Sequence, residues 1–374
     1  MLRTLLCCVV ALCLATACTP LSQTSEDAGS SPKLARAAER EGELVIYANT
    51  GDAETWPVLT AFRRAHPGIK ITFRRLNSAE LYERYVAETA ANKPTADLVW
   101  SSAMDLQIKL INDGYAQTYV PPQKAALPTW AVWKNQGYGV TAEPIVFVYD
   151  KRRLNPKDAP KSHAELRRLL ETGKIPGSVA TFDPDRSAVG FLYYSQDRLA
   201  WADTMALNRA IGATAPKLYE STATMLDDLS AGDTTFGYNI IGSYALEAQR
   251  LDHNLMVVFP ADYTLVMSRI AFVSAGARHP NAAKLFLDFM LSKQGQVLLA
   301  RNSLRPVRTD LKGGGVPGPA DGVARPIEVG PALLADLDQM RRARLLADWR
   351  KAIGPSRKDD RRRSRDNIVT GSPP

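Results

Sequence analysis

At 374 residues the chain exceeds the size at which a single hydrophobic core stops growing, so two lobes or domains are expected. A hydrophobic share of 45% and a charged share of 23% are those of an ordinary soluble body. The formal net charge of +8 is partly a tail effect: residues 356–367 carry six basic and three acidic side chains, so no nucleic-acid partner is expected.

All four cysteines (Cys7, Cys8, Cys13 and Cys18) lie in the first 18 residues, so no disulfide framework can hold the body. Met1-Leu2-Arg3 gives a positive start, residues 5–17 are an apolar run too short to span a bilayer, and Ala15-Thr16-Ala17 is a small-residue cleavage signal. Residues 1–17 are therefore expected to be an export signal peptide. Leu14-Ala15-Thr16-Ala17-Cys18 resembles the lipobox of bacterial lipoproteins, which implies lipidation at Cys18 and a periplasmic protein held to a membrane by lipid.

After a Ser-rich tether over 18–32, residues 43–49 are a short apolar run suited to a buried strand. A helix with Val58, Leu59 and Phe62 on one face follows, and His66-Pro67-Gly68 stops it. A strand at 69–76, a helix at 78–91, a strand at 97–100 and a helix from Ser101-Ser102 to Asp113-Gly114 continue the alternation. This βαβαβ order predicts a parallel sheet with helices on both faces and ligand contacts at the carboxyl ends of its strands. Residues 138–154 are expected to form one long crossover strand containing Pro144.

The second unit holds a helix at 163–172, a strand at 177–183, a long helical stretch at 187–211, a helix at 220–231 and a strand at 235–241. A second long apolar strand at 263–276 leads back to a helix at 281–291, where Ala282, Leu285, Phe286, Phe289 and Met290 share a face. The expected division is a first lobe over 33–142 and 263–312, a second lobe over 143–262 and a linker over 313–330. One amphipathic helix is expected over 331–353, with Leu333, Leu334, Leu337, Met340, Leu345 and Trp349 on one side, and a disordered basic tail over 354–374.

Groups for catalysis are scarce. His66, His163, His253 and His279 lie far apart, no phosphate-cradling glycine loop is present, and Ser243 lacks the second glycine of a nucleophile elbow. Neither an enzyme, a metal site nor a cofactor is expected. Hydroxyl, amide and charged groups instead gather at strand-to-helix junctions: Asn49, Thr50 and Asp52, Ser101 and Ser102, Asp183, Arg186 and Ser187, and Ser243 and Tyr244. Each is also a helix cap by local chemistry. Brought together, their helix N-termini make a cleft suited to an anion, with Arg186 as a candidate bidentate contact.

The stretches ELVIYANTGDAETWPVLTAFRRAHPGIKI, ADLVWSSAMDLQIKLINDGYA, GVTAEPIVFVYDKRRL, GYNIIGSYALEA and HPNAAKLFLDFMLSKQGQVLLA resemble the extracellular solute-binding proteins of bacterial ABC importers. The branch they resemble holds ferric-iron and organophosphate binders. The resemblance implies an α/β, two-lobed periplasmic-binding-protein fold. Each lobe would be a mostly parallel sheet with flanking helices, and two crossover hinge strands near 139–149 and 263–272 would join them. It implies a monomer that binds a small organic anion (a phosphorylated sugar, phosphonate or carboxylate) and serves an inner-membrane ABC permease or a sensor kinase. Ferric binders of this kind hold iron with two adjacent tyrosines and a histidine after the first strand. Here Ser243-Tyr244 and Thr50-Gly51-Asp52 stand at those places, so the resemblance leaves iron as the alternative ligand.

Overall fold

The computed structural model describes residues 30–354. The signal peptide, Cys18, most of the tether and nearly all of the basic tail lie outside them. The first unit runs α1 (Pro32–Glu41), β1 (Glu43–Ala48), α2 (Asp52–Ala65), β2 (Lys70–Arg75), α3 (Ser78–Ala90), β3 (Leu98–Ser101) and α4 (Met104–Asn112). Short strands β4 (Val132–Trp133) and β5 (Gly137–Gly139) lead to β6 (Glu143–Asp150). The second unit holds α5 (His163–Glu171), β7 (Val179–Phe182), α6 (Ala188–Ala200), α7 (Thr204–Ala213), β8 (Lys217–Tyr219), α8 (Thr222–Ser230), β9 (Phe236–Ile241), α9 (Gly242–Leu251) and β10 (Leu255–Val258). The chain continues through β11 (Thr264–Met267), β12 (Ile270–Val273), α10 (Pro280–Leu291), α11 (Lys293–Ala300), β13 (Ala324–Pro326) and α12 (Gln339–Ile353).

Two sheets result. The first has the order β2-β1-β3-β12-β5-β4, with β1 parallel to β2 and β3, and β12 antiparallel to β3. The second has the order β13-β11-β6-β9-β7-β8, with β10 also paired to β6. Strands β7, β8 and β9 are parallel; β7 and β9 are buried throughout, as strands flanked by α-helical crossovers are, and the edge strand β8 is partly buried.

Each long crossover strand is two short strands in different sheets, with a break between them. Residues 140–142 separate β5 of the first sheet from β6 of the second, and Ser268-Arg269 separate β11 of the second from β12 of the first. At the breaks the two connections hold each other: the Val140 N–H donates to the Arg269 carbonyl at 2.9 Å, and the Arg269 N–H donates to Thr141 Oγ1 at 2.9 Å. Backbone groups that leave one ladder must find other partners, and these bonds supply them.

The outer core of the first lobe packs Phe62 edge-on to Phe286, with ring centroids 5.1 Å apart, beside Ile46 and Trp100. The outer core of the second lobe holds Phe147, Leu166, Leu207 and Trp349. A third cluster joins Tyr47, Met104 and Phe272 of the first lobe to Val146, Leu192 and Ile240 of the second, so the inner faces of both sheets share one core.

Two helix expectations are corrected. The stretch 187–211 is interrupted after Ala200, because the Thr204 hydroxyl donates to the carbonyls of Asp197 and Trp201 and restarts the helix as α7. The stretch 331–353 is a 3-10 turn at Pro331–Leu337 followed by α12, because Asp338 leaves helical geometry (φ −54°, ψ 130°) and its carboxylate caps the Arg341 N–H at 3.0 Å. The apolar stripe is therefore split. Leu333 packs into the central core, Met340 is 84% exposed, and Leu346, Trp349 and Ile353 are the buried residues of α12.

The glycine-rich stretch after Thr309 is kinked: Lys312 (φ 44°), Gly313 (φ 80°) and Gly314 (φ 60°) take left-handed backbone angles between short 3-10 turns. It feeds β13, which pairs in parallel with β11. No helix among the described residues is long and apolar enough to cross a membrane.

Candidate functional site

At the end of β9 the chain turns straight into α9 with no side-chain cap. Gly242 is required there, since a Cβ would lie 2.7 Å from the Pro144 carbonyl oxygen. The free helix head meets an anion that the protein supplies itself: the Ser243 hydroxyl donates to the buried carboxylate of Glu143. Glu143 also accepts from Thr141 Oγ1 at 2.9 Å, from Arg269 Nε at 2.8 Å and from Arg269 Nη2 at 3.2 Å. Both members of the ion pair are almost completely inaccessible, at 1% and 0% side-chain exposure.

Burial works against the charge on Arg269, but Glu143 and Tyr244 outweigh it and hold the guanidinium above its ordinary pKa. Its Nη1 donates to Thr50 Oγ1 at 3.2 Å. Glu143 and Thr50 thus take three of its five N–H groups, leaving two for Tyr244, whose ring lies 5.4 Å from the guanidinium, and for the cleft that both residues line.

That cleft has a volume of about 360 Å³ and lies between the lobes. On its first-lobe side one amide organises three strand-to-helix junctions. Asn49 Oδ1 accepts the Ser102 backbone N–H at 3.0 Å, which identifies the other atom as Nδ2. Asn49 Nδ2 then donates to Ser78 Oγ and to Ser102 Oγ, both at 2.6 Å. Each hydroxyl oxygen is occupied as an acceptor, so its own proton is left to point elsewhere. Asn49, Ser78 and Ser102 all line the cleft.

Two helix heads from opposite lobes also reach it. Asn77 caps α3 by accepting the Glu80 N–H at 2.9 Å, and Ser221 caps α8 by accepting the Thr224 N–H at 3.3 Å. The N–H groups of the first turns point toward the cleft end, carrying partial positive charge. Thr222, the first residue of α8, is 4% exposed and its hydroxyl has no hydrogen-bond partner. The site is rich in donors. Its lining carboxylates are engaged elsewhere, Glu80 with Arg84 at 3.5 Å and Glu220 with Arg186.

Of the residues singled out in the sequence, Ser102 and Tyr244 line this cleft. Thr50 is fully buried behind Arg269, and Asp52 stands on the surface 3.6 Å from Arg75, which does line the cleft. The Ser101 hydroxyl accepts the Ala103 N–H at 3.2 Å and is 2% exposed. Asp183 accepts the Asp185 N–H at 3.0 Å, and its burial raises its pKa. Arg186, 63% exposed, pairs with Glu220 on the surface. Ser187 caps α6 through the Gly190 N–H at 3.2 Å and donates to the Glu220 carbonyl. Ser243 is 1% exposed and spent on Glu143.

Arg269, Ser78 and Thr222 were missed. A signal for Arg269 existed: residues 263–276 contain one charged side chain, Arg269, and residues 138–149 contain one, Glu143. A lone charge in each of two apolar crossings, with opposite signs, marks a buried pair. Among the described residues no group of three or more His, Cys, Asp or Glu could hold a metal ion.

The profile of the family described as bacterial extracellular solute-binding protein matches residues 58–316. A crystal structure of the substrate-binding protein of an ABC transporter from Agrobacterium tumefaciens is 37% identical, with a TM-score of 0.77 over 83% of this chain and 94% of that one. The Fe(3+)-binding periplasmic protein of Serratia marcescens is 25% identical over 72% of this chain and 79% of its own. The periplasmic binding protein AfuA of Actinobacillus pleuropneumoniae, solved with fructose-6-phosphate bound, has the same fold at 21% identity, with a TM-score of 0.66 over 83% of this chain and 98% of that one.

Proposed function

Because this chain belongs to the bacterial extracellular solute-binding protein family, we propose that its interlobe cleft binds a small organic anion for delivery to an inner-membrane ABC permease. The observation that carries the ligand class is the pair of hydroxyls on Ser78 and Ser102, turned into donors by Asn49 beside the buried Arg269 guanidinium. A site made of donors recognises a group that only accepts, such as a carboxylate or phosphoryl oxygen.

Binding works by closure, with no covalent step. An anion held by Ser78 and Ser102 on the first lobe and by the head of α8 on the second touches both, and its differential affinity stabilises the closed arrangement. Arg269 and Glu143 sit at the two breaks about which the lobes turn, so the ligand meets the hinge itself. A bare ferric ion is disfavoured at Tyr244, because a guanidinium lies 5.4 Å from its ring and no second tyrosine adjoins it.

A thermal-shift panel on the purified protein tests this reading with hexose phosphates, phosphonates, mono- and polycarboxylates and ferric citrate. An anion at a thousand times its dissociation constant is expected to add about 4 kcal/mol of stability. A shift confined to ferric salts overturns the reading. Anchoring at Cys18 belongs to the same proposal: Cys18→Ala is expected to move the protein from the membrane fraction to the soluble periplasm, and unchanged fractionation counts against lipidation.

A further inference from the structure

The two walls of the cleft are chemically unlike. The first lobe supplies Asn49, Ser78 and Ser102, a connected set of polar groups with two hydroxyl protons unspent, beside Arg75, Asn77 and Glu80 and a single apolar residue, Leu76. The second supplies Phe182, Val189, Ile241 and the ring of Tyr244. Phe182, Val189 and Ile241 are 3%, 8% and 4% exposed and packed into the central core, so they present fixed apolar edges that cannot turn aside for a polar group. The Tyr244 ring turns a face to the Arg269 guanidinium, 5.4 Å away. Besides Tyr244, the second lobe's polar side chains in the lining are those of residues 220–222: Glu220 is paired with Arg186, Ser221 caps its own helix, and the Thr222 hydroxyl is unpartnered at the head of that helix.

From this asymmetry we propose that the ligand is an anion with an apolar or aromatic body. Its head lies on Ser78, Ser102 and Arg269 and reaches the head of α8, and its body lies against Phe182, Val189, Ile241 and the ring of Tyr244. The inference rests on the anion reading above and narrows it. A polyhydroxylated body would bring hydroxyls against side chains that offer no partner, and each unpaired group lowers affinity about ten- to a hundredfold. A phenyl-sized body loses nothing there and removes its own apolar surface from water. The cleft volume of about 360 Å³ corresponds to roughly a dozen water molecules of liquid, room for one six-membered ring, a charged head and a substituent. The walls also set an order of events: the polar lobe captures the head, and closure of the apolar lobe buries the body.

Isothermal titration of the purified protein with four probes crosses head and body: phenyl phosphate, glucose 1-phosphate, benzoate and gluconate, with benzyl alcohol as an uncharged control. The phenyl-bodied member of each pair is expected to bind at least tenfold more tightly than its polyol counterpart, whichever head it carries. Val189→Thr and Ile241→Thr each place a hydroxyl on the apolar wall and are expected to narrow that gap at least threefold. If the polyol members bind as tightly or more tightly, the inference is overturned while the anion reading stands. It is overturned equally if neither substitution narrows the gap, or if none of the four probes binds. If benzyl alcohol binds as tightly as benzoate, the head contributes nothing and the anion reading itself fails.

Discussion

Arg269→Met is expected to abolish ligand binding and to lower the unfolding free energy by about 3–5 kcal/mol, the cost of leaving a buried charge without its partner. Glu143 is 0% exposed and receives two hydrogen bonds from the guanidinium; without them its carboxylate keeps only the hydroxyls of Thr141 and Ser243. Glu143→Gln is expected to destabilise for the reciprocal reason, leaving Arg269 uncompensated. The double substitution Arg269→Met with Glu143→Leu separates the two roles. Removing both charges with side chains of similar bulk is expected to recover most of the lost stability, since a buried pair is often close to neutral against a well-packed apolar one. Ligand binding is not expected to recover, because no guanidinium reaches the cleft. Urea unfolding and calorimetric titration on the three variants decide it; a double variant that binds ligand normally would remove Arg269 from the site.

The second large effect is at Asn49. Asn49→Asp preserves the acceptor for the Ser102 N–H but replaces the amide donor with a carboxylate oxygen. The Ser78 and Ser102 hydroxyls must then donate to residue 49, so both protons turn away from the cleft and a negative charge is added beside them. Two hydrogen bonds to a charged ligand contribute about 1.5–3 kcal/mol each, so the affinity is expected to fall at least a hundredfold. Stability should change little, because the side chain is only half-buried and its hydrogen bonds persist with reversed polarity. Titration calorimetry reads the affinity and thermal unfolding controls for folding. An Asn49→Asp protein that keeps its ligand affinity would show that the two hydroxyls do not point at the ligand.

Both predictions involve residues whose roles depend on contacts far along the chain. Ser243 bonds to Glu143 across 100 positions, Arg269 to Glu143 across 126, and Arg269 to Thr50 across 219. The junction residues were conspicuous in the sequence because caps are local: Ser187 meets the Gly190 N–H three residues on, as any cap does. Local chemistry reveals that a helix begins, and leaves open whether its head looks at a ligand, at a neighbour or at solvent. Hence Ser187, a real cap, stands outside the cleft lining, while Asn77 and Ser78 are within it.

By itself the sequence determined the alternation of strands and helices, since that depends on apolar periodicity and on punctuation by Gly, Pro and capping residues within a few positions. It also determined that two apolar crossings join the lobes, and that each carries one charge, Glu143 or Arg269. Only the tertiary structure decided that these charges meet, that the Ser243 hydroxyl is spent on Glu143, and that Asn49 donates to Ser78 and Ser102. The division has a physical cause: helix and strand formation is set by neighbours along the chain, whereas a binding site is made of hydrogen bonds and ion pairs whose partners are fixed when the two sheets pack.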